Sequence, residues 1–154
     1  METLCIVPCG KRKIWDKNPN AGFVKAKDVY IGHFSIKCKE YAEKFYANSW
    51  CILSAKYGFI FPEEKLPGTY NVSFKDEKTH PIGIDDLILQ IEQKRLNNYD
   101  RIVVLGGKSY VKVINKAFEG KIISNPLANC KGLGYMMQYL NESIKKDSIY
   151  NPAN

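Results

Sequence analysis

Four short, mainly apolar runs divide the chain, and in none of them do apolar residues alternate with polar ones. They cover Leu4–Val7, Trp50–Ser54, Arg101–Leu105 and Lys121–Ser124. A strand that is apolar on both faces is typical of a parallel sheet with helices packed on each side. Glycine or proline follows each run within a few residues and ends it. The pattern therefore predicts four buried strands.

Between these strands and after the last one, apolar residues recur three or four positions apart, which indicates amphipathic helices. We expect Asp28 to cap the first helix, whose apolar face runs from Tyr30 to Phe45. Further helices are predicted at Ile84–Ile91, Tyr110–Phe118 and Leu133–Ile144. The sequence thus predicts an α/β fold, a three-layer sandwich with a four-stranded, mostly parallel sheet flanked by helices.

Two segments lack a clear period, Lys11–Lys27 and Lys56–Gly83. The second is long for so small a domain, and such loops are often functional or mobile. No internal repeat, linker or low-complexity stretch interrupts the pattern. We therefore expect one α/β domain over residues 1–146 and a polar C-terminal tail, 147–154, that frays.

The charge of the chain narrows the choice of partners. Its 154 residues include 23 Lys and Arg against 16 Asp and Glu, a formal net charge of +7. This excess favours polyanionic partners, and we expect nucleic acid or a nucleotide. No run approaches the ~18 apolar residues of a membrane helix, and the acidic start of the chain is unlike a signal peptide. We therefore expect a cytoplasmic protein with no membrane partner.

The cysteines favour a reduced protein. There are five, an odd number, with no Cys-x-x-Cys spacing, and the two histidines are far apart in the sequence. This pattern predicts reduced, mostly buried thiols and neither a disulfide framework nor a zinc site. We expect no metal and no cofactor, and the sequence leaves the oligomeric state open.

The loops after the four strands carry the candidate chemistry, because ligands of open parallel sheets bind outside the carboxyl ends of the strands. Small, basic and hydroxyl residues are frequent in these loops and favour an anion-lined cleft. The candidate residues for binding nucleic acid or phosphate are Lys11, Lys13, Tyr30, Ser54, Tyr57, Tyr70, Gly106, Gly107 and Gly132.

The candidate catalytic residues are Cys9, Lys56 and Glu63. Cys9 is either a nucleophile favoured by the adjacent cations or a buried structural thiol. Lys56 is a phosphate ligand, an amine nucleophile or an ordinary surface residue. Glu63, Glu64 or Asp16 could act as a general base for an attacking water.

One motif is misleading. Gly107-Lys108-Ser109 looks like the end of a P-loop, but Ile102 stands where that motif needs its first glycine. We therefore reject an ATPase of this class. Gly106 and Gly107 still allow backbone amides to approach an anion where the third helix begins.

Several segments together resemble an uncharacterised family found in bacteria, archaea and phages. They are Pro8–Lys13, Val29–Phe34, Leu53–Ile60 with Pro62 and Tyr70, and Pro126-Leu127 with Gly132 and Gly134. The Ser-Ala-Lys-Tyr-Gly sequence of Ser54–Gly58 also resembles a loop of the YaaA peroxide-stress family, whose members are implicated in DNA binding. The order of the loops is similar to the uracil-DNA-glycosylase-like fold, including a domain of archaeosine synthase. Where the glycosylases have a His-Pro-Ser segment, this chain has Asn125-Pro126-Leu127.

Three functions are consistent with this sequence. The first is a small enzyme acting on a nucleobase, nucleoside or nucleic acid by C–N bond cleavage or base transfer. In it the loop lysines would hold phosphate, and Tyr30, Tyr57 or Tyr70 would stack on a base. The second is a non-catalytic DNA- or RNA-binding module using the same cations. The third is a binder of small phosphate esters.

Overall fold

The computed structural model describes residues 2–148. The strands are β1 (Thr3–Pro8), β2 (Val24–Lys25), β3 (Trp50–Ser54), β4 (Gly58–Ile60), β5 (Lys65–Leu66), β6 (Arg101–Val104) and β7 (Ile122–Ser124). The helices are α1 (Ile14–Lys17), α2 (Ala26–Val29), α3 (His33–Phe45), α4 (Ile84–Gln93), α5 (Lys108–Ala117) and α6 (Leu133–Lys145). Five of the strands form one sheet, and β2 pairs with β5 in a separate ribbon.

The main sheet has the strand order β4-β3-β1-β6-β7, with β1 at its centre. β1 runs parallel to both neighbours, pairing Cys5 with Trp50 on one side and with Val103 on the other. β6 and β7 are also parallel, whereas the edge strand β4 is antiparallel to β3. The predicted mostly parallel α/β sheet is confirmed. It has five strands rather than four, because β4 lies inside the segment that was expected to be irregular.

Helices cover both faces of the sheet. Alternate residues of β1 face opposite sides: Cys5 packs with α3 and α6, and Leu4 packs with α4 and α5. The two core clusters are therefore separated by the sheet, which explains why the strands are apolar throughout. The predicted three-layer sandwich is confirmed, and α4, α5 and α6 lie where the apolar spacing indicated.

The first predicted helix was wrong at its start. The helical period suggested that it begins after Asp28, but α3 begins at His33, with Gly32 as its extended N-terminal neighbour. Tyr30 has the correct spacing for the helix, yet it forms an isolated β-bridge with Lys13. The amide of Ile31 likewise donates a hydrogen bond to the Arg12 carbonyl. These bonds remove the segment from the helix and attach it to the loop after β1.

The two segments predicted to be irregular contain short regular pieces. The first holds α1, β2 and the start of α2, and the second holds β4, β5 and a 3-10 turn at Glu77–Thr79. The β2–β5 ribbon joins the two segments, with Val24 opposite Leu66. Pieces this short carry no readable period, so the sequence pattern does not reveal them.

Only part of the predicted tail is described. Asp147 pairs with Lys44 of α3 at 3.0 Å, and residues 149–154 lie outside the described residues. Between residues 2 and 148, every helix is too short or too polar to cross a membrane.

The cysteines lie within the described part of the chain and all five are free thiols. Cys5, Cys38 and Cys51 are fully buried, as expected, while Cys9 and Cys130 are partly exposed. Burial raises the pKa of the Cys51 thiol to about 12 and also raises the pKa of Cys5 and Cys38. The core thiols therefore stay protonated at neutral pH.

These raised pKa values predict a loss of stability in alkali. Above pH ~9 the unfolded chain releases thiol protons that the folded chain retains, so the unfolding free energy falls as the pH rises toward the folded pKa. For Cys51 alone the loss between pH 8 and pH 10.5 is about 2 kcal/mol. Urea unfolding of the wild type and of Cys51→Ala at both pH values measures it.

Leu53→Ala is the control, because it opens a cavity in the same strand and keeps the thiol. We expect Leu53→Ala to lose as much stability between the two pH values as the wild type, and Cys51→Ala to lose about 2 kcal/mol less. The same pH dependence in all three proteins would contradict this assignment.

Candidate functional site

The carboxyl ends of β1 and β6 form the topological switch point of the sheet. The chain leaves β1 toward β3 and leaves β6 toward β7, so the two connections diverge. Cys9 follows β1, and its sulfur lies 3.0 Å from the hydroxyl of Tyr110 in α5. The same hydroxyl also lies within hydrogen-bond distance of the Cys9 carbonyl, at 3.1 Å, and can donate to it.

Gly106 allows the loops after β1 and β6 to approach closely. Its φ is +139°, and a side chain there would press against the ring of Tyr110 and against Pro8. Gly107 precedes α5, and its carbonyl accepts from the amide of Tyr110 at 3.1 Å. These glycines thus shape the switch point. Gly132, which precedes α6, is exposed and has open space around it.

A chain of three hydroxyl groups lies at the ends of β1 and β3. The Tyr70 hydroxyl is hydrogen-bonded to that of Tyr30 and, at 2.8 Å, to Ser54 Oγ. Ser54 Oγ also accepts from the amides of Lys56 and Tyr57, at 3.2 and 3.0 Å. Three segments that are distant in the sequence therefore meet. Burial, reinforced by the nearby Cys9, raises the pKa of both phenols, which stay protonated at neutral pH.

The ammonium group of Lys13 is buried beside this chain. The residue is 3% exposed, and its Nζ lies 4.3 Å from the ring centroid of Tyr70 and 6.0 Å from that of Tyr30. Nζ donates to the Lys11 carbonyl at 3.1 Å, and within residues 2–148 it forms no ion pair. Buried charges are normally paired, so this cation lacks the counter-charge that would offset its burial.

Burial also lowers the pKa of Lys13, and two neighbours oppose that shift: the Cys9 thiol first and the Asp16 carboxylate second. The Asp16 carboxylate itself accepts from the Lys13 backbone amide at 2.8 Å and caps α1. It is therefore held by the backbone of Lys13 rather than by its ammonium group. An anion reaching Nζ would stabilise the charged form of Lys13.

Lys56 and Tyr57 form the exposed part of the same group. Lys56 Nζ lies 5.1 Å from the ring centroid of Tyr57 and 5.8 Å from that of Tyr70. The Tyr57 and Tyr70 rings meet edge to face at 5.4 Å. Tyr57 is partly exposed, whereas Tyr30 and Tyr70 are buried. We name the residues of this group the lysine–tyrosine cluster: Lys13, Tyr30, Ser54, Lys56, Tyr57 and Tyr70.

Gln90 of α4 fixes the turn that carries Lys56 and Tyr57. Its Oε1 accepts from the Phe59 amide at 2.8 Å, and its Nε2 donates to the Tyr57 carbonyl at 3.0 Å. Sequence reasoning missed Gln90. The available signal was a polar residue within an apolar helical stripe, three positions after Leu87 and one before Ile91. Tyr110 was also missed as a site residue, since its spacing placed it only on the apolar face of α5.

The remaining predicted residues lie apart from the cluster or at its rim. Lys11 is exposed and contributes its carbonyl to Lys13. Glu63 is exposed and pairs with Lys25 and Lys27 at 2.9 and 3.0 Å. Glu64 pairs with Lys94 at 2.9 Å. The structure thus brings Lys13 and Lys56 together with the predicted tyrosines, and it holds these two carboxylates in ion pairs with other lysines.

Across residues 2–148, the His, Cys, Asp and Glu side chains form no group of three or more that could hold a metal ion. The polar groups that the cluster offers are ammonium and hydroxyl groups. Protonated lysines and phenols donate hydrogen bonds, so the arrangement suits an anionic ligand.

Gly58 is a point where the turn tolerates no side chain. Its φ is +77°, and a Cβ there would collide with the side-chain amide of Gln90. We expect Gly58→Ala to lower the free energy of unfolding by about 1–3 kcal/mol, measured by urea unfolding. Gly68→Ala is the matched control, because Gly68 has open space around it. It should change stability by less than ~0.5 kcal/mol. Equal effects of the two substitutions would show that the close contact between Gly58 and Gln90 does not contribute to stability.

Comparison with known proteins places the chain in a family. The model of a family of unknown function, DUF6884, matches residues 4–142. An uncharacterised protein of Bacillus subtilis (strain 168), YfjM, is 42% identical over 147 residues, which cover 95% of this chain and 97% of that protein. No solved structure matches significantly. Because both sequence matches extend over most of the chain, the chain belongs to the family of unknown function DUF6884.

Proposed function

We propose that this protein binds nucleic acid or a nucleotide at the lysine–tyrosine cluster, through a phosphate group held by lysines and a base stacked on Tyr57. The observation that carries the proposal is the buried ammonium of Lys13. It lies at the carboxyl edge of the sheet, where such folds bind ligands, and has no ion pair within the described residues. A phosphate is an anion that would supply the missing counter-charge.

Further cations surround Lys13. Lys11 and Arg12 precede it and are exposed. Lys56, in the turn after β3, approaches the ring of Tyr70, which Lys13 also contacts. Lysine and arginine at the rim attract phosphate groups and release counterions when they bind them. The net charge of +7 adds to this attraction over a longer range.

Tyr57 supplies a surface for a base. It is the partly exposed tyrosine of the cluster, and the ammonium of Lys56 lies 5.1 Å from its ring centroid. Aromatic rings next to cations are typical of single-strand binding sites, in which bases stack and phosphates pair. Tyr30 and Tyr70 are buried, so in this arrangement they support the turn and do not stack on a base.

The contacts of the candidate catalytic residues favour a protein that binds its ligand without catalysis. Base cleavage by an attacking water is assisted by a general base, and the candidates predicted from the sequence are carboxylates. Glu63 and Glu64 are held in ion pairs with lysines, and Asp16 caps a helix. The Cys9 sulfur is hydrogen-bonded to the hydroxyl of Tyr110 at 3.0 Å. C–N bond cleavage or base transfer is therefore the second candidate.

Two resemblances support nucleic acid as the ligand. The turn Ser54–Gly58 resembles a loop of the YaaA family, whose members are implicated in DNA binding. The order of the loops resembles that of the uracil-DNA-glycosylase-like fold. Both likenesses concern the loops at the carboxyl edge, where the lysine–tyrosine cluster lies.

A charge-removing substitution at the rim tests the proposal. Lys56→Gln removes one phosphate contact and leaves the buried residues in place. We expect it to weaken binding of a fluorescein-labelled single-stranded 12-mer by about 3- to 10-fold at low salt. The slope of log K against log salt should fall in magnitude by about 0.7. Fluorescence anisotropy at several salt concentrations measures both.

Lys116→Gln is the matched control, because Lys116 is exposed in the last turn of α5, away from the carboxyl edge of the sheet. Competition with free nucleotides separates a monomeric from a polymeric ligand. Chromatography of the same mixtures for free base tests the catalytic alternative, and we expect none to be released. Equal loss of affinity in both variants, or no binding by the wild type, would overturn the proposed site.

A further inference from the structure

The ring of Tyr70 lies against both ammonium groups of the cluster. Lys13 Nζ is 4.3 Å from the ring centroid and Lys56 Nζ is 5.8 Å from it. The negative face of an aromatic ring attracts a cation, but more weakly than a charge-assisted hydrogen bond to an anion does. In the free protein, the ring therefore occupies a position in which an anion would interact more strongly with the two ammonium groups.

The ring of Tyr70 also restricts access to Lys13. Lys13 is 3% exposed and Tyr70 is 8% exposed, so the pair forms a closed contact. An anion from solvent reaches Nζ only if a neighbouring group moves. Tyr30 is held by the backbone bridge of its own segment to Lys13, whereas Tyr70 has no such bridge. Displacing Tyr70 would leave that backbone bridge intact and would break the two hydrogen bonds of its hydroxyl.

The backbone around Tyr70 lies outside the helices and strands, although the Tyr70 ring packs in the core. Residues 67–72 contain neither helix nor strand, and between residues 2 and 148 no backbone–backbone hydrogen bond involves them. Thr69 and Asn71, on either side of Tyr70, are exposed. Two side-chain hydrogen bonds connect this stretch to the site, between the Tyr70 hydroxyl and the hydroxyl groups of Tyr30 and Ser54. Displacing the ring would break these two bonds and its packing against Tyr57 and the core, and it would leave the hydrogen bonds of the main sheet in place.

We propose that Tyr70 is a gate: its ring occupies the place of the ligand's phosphate in the free protein, and binding displaces it together with residues 67–72. This inference rests on the proposed function, since it concerns how the same site is regulated. A gate of this kind lowers the apparent affinity by the fraction of molecules in which the site is open. Loosening the gate should therefore strengthen binding, the reverse of the effect expected for a residue that contacts the ligand.

Two variants test the gate. Tyr70→Phe keeps the ring and removes both hydroxyl hydrogen bonds, and Tyr70→Ala removes the ring as well. We expect both to bind a fluorescein-labelled single-stranded 12-mer more tightly and faster than the wild type, Tyr70→Phe by about 5- to 10-fold. Anisotropy gives the affinity and stopped-flow fluorescence gives the association rate. Tyr99→Phe, a tyrosine in the turn before β6, is the control and should leave both unchanged.

Lysine acetylation provides a second readout that needs no ligand. Acetic anhydride labelling followed by mass spectrometry should modify Lys13 slowly in the wild type and at least about fivefold faster in Tyr70→Phe. Thermal unfolding shows which variants are folded, and if Tyr70→Ala is unfolded, Tyr70→Phe alone decides the question.

The outcomes separate the gate from the proposed function. If the wild type binds the oligonucleotide and Tyr70→Phe binds equally or more weakly, the gate is overturned and the binding site stands. If no protein in the series binds it, the proposed function fails and the gate fails with it. Tighter binding by Tyr70→Phe, together with faster acetylation of Lys13, supports the gate.

Discussion

The hydrogen bonds of the Tyr70 hydroxyl hold together the segments of the candidate site in the free protein. They connect Ser54 at the end of β3, Tyr30 before α3 and the irregular stretch after β5. The same tyrosine covers the ammonium of Lys13, which is buried without an ion pair in the described part of the chain. Burying a charge in this way is costly, and the two tyrosine rings and one carbonyl offset part of that cost. Such an arrangement is expected where a ligand completes the charge balance.

The layers of the fold could be predicted from the sequence because each depends on apolar residues. Runs such as Leu4–Val7 are apolar at every position, and only a sheet covered on both faces accommodates them. Short elements could not be predicted, since β4 has three residues and follows a tight turn. The start of α3 was mistaken because Tyr30 satisfies the helical period while its backbone pairs with Lys13. A long-range bond of this kind leaves no local pattern in the sequence.

The candidate site could be predicted in position but not in detail. The rule that ligands bind at the carboxyl ends of parallel strands predicted Lys13 and Lys56 at one edge of the sheet, and both approach the ring of Tyr70. Nothing in the sequence distinguishes buried Lys13 from exposed Lys11, because both lie in one basic run and burial depends on the fold. The contributions of Gln90 and Tyr110 arise from contacts across tens of residues. Residue type and local period carry no information about such contacts.

A crystal structure of the protein with a short single-stranded oligonucleotide tests the central claim most directly. Our account predicts a phosphate oxygen within about 3 Å of Nζ of Lys13 or Lys56. It also predicts a base stacked on Tyr57 and the ring of Tyr70 moved away from Lys13. An oligonucleotide bound on another face, with the lysine–tyrosine cluster unchanged, would contradict it.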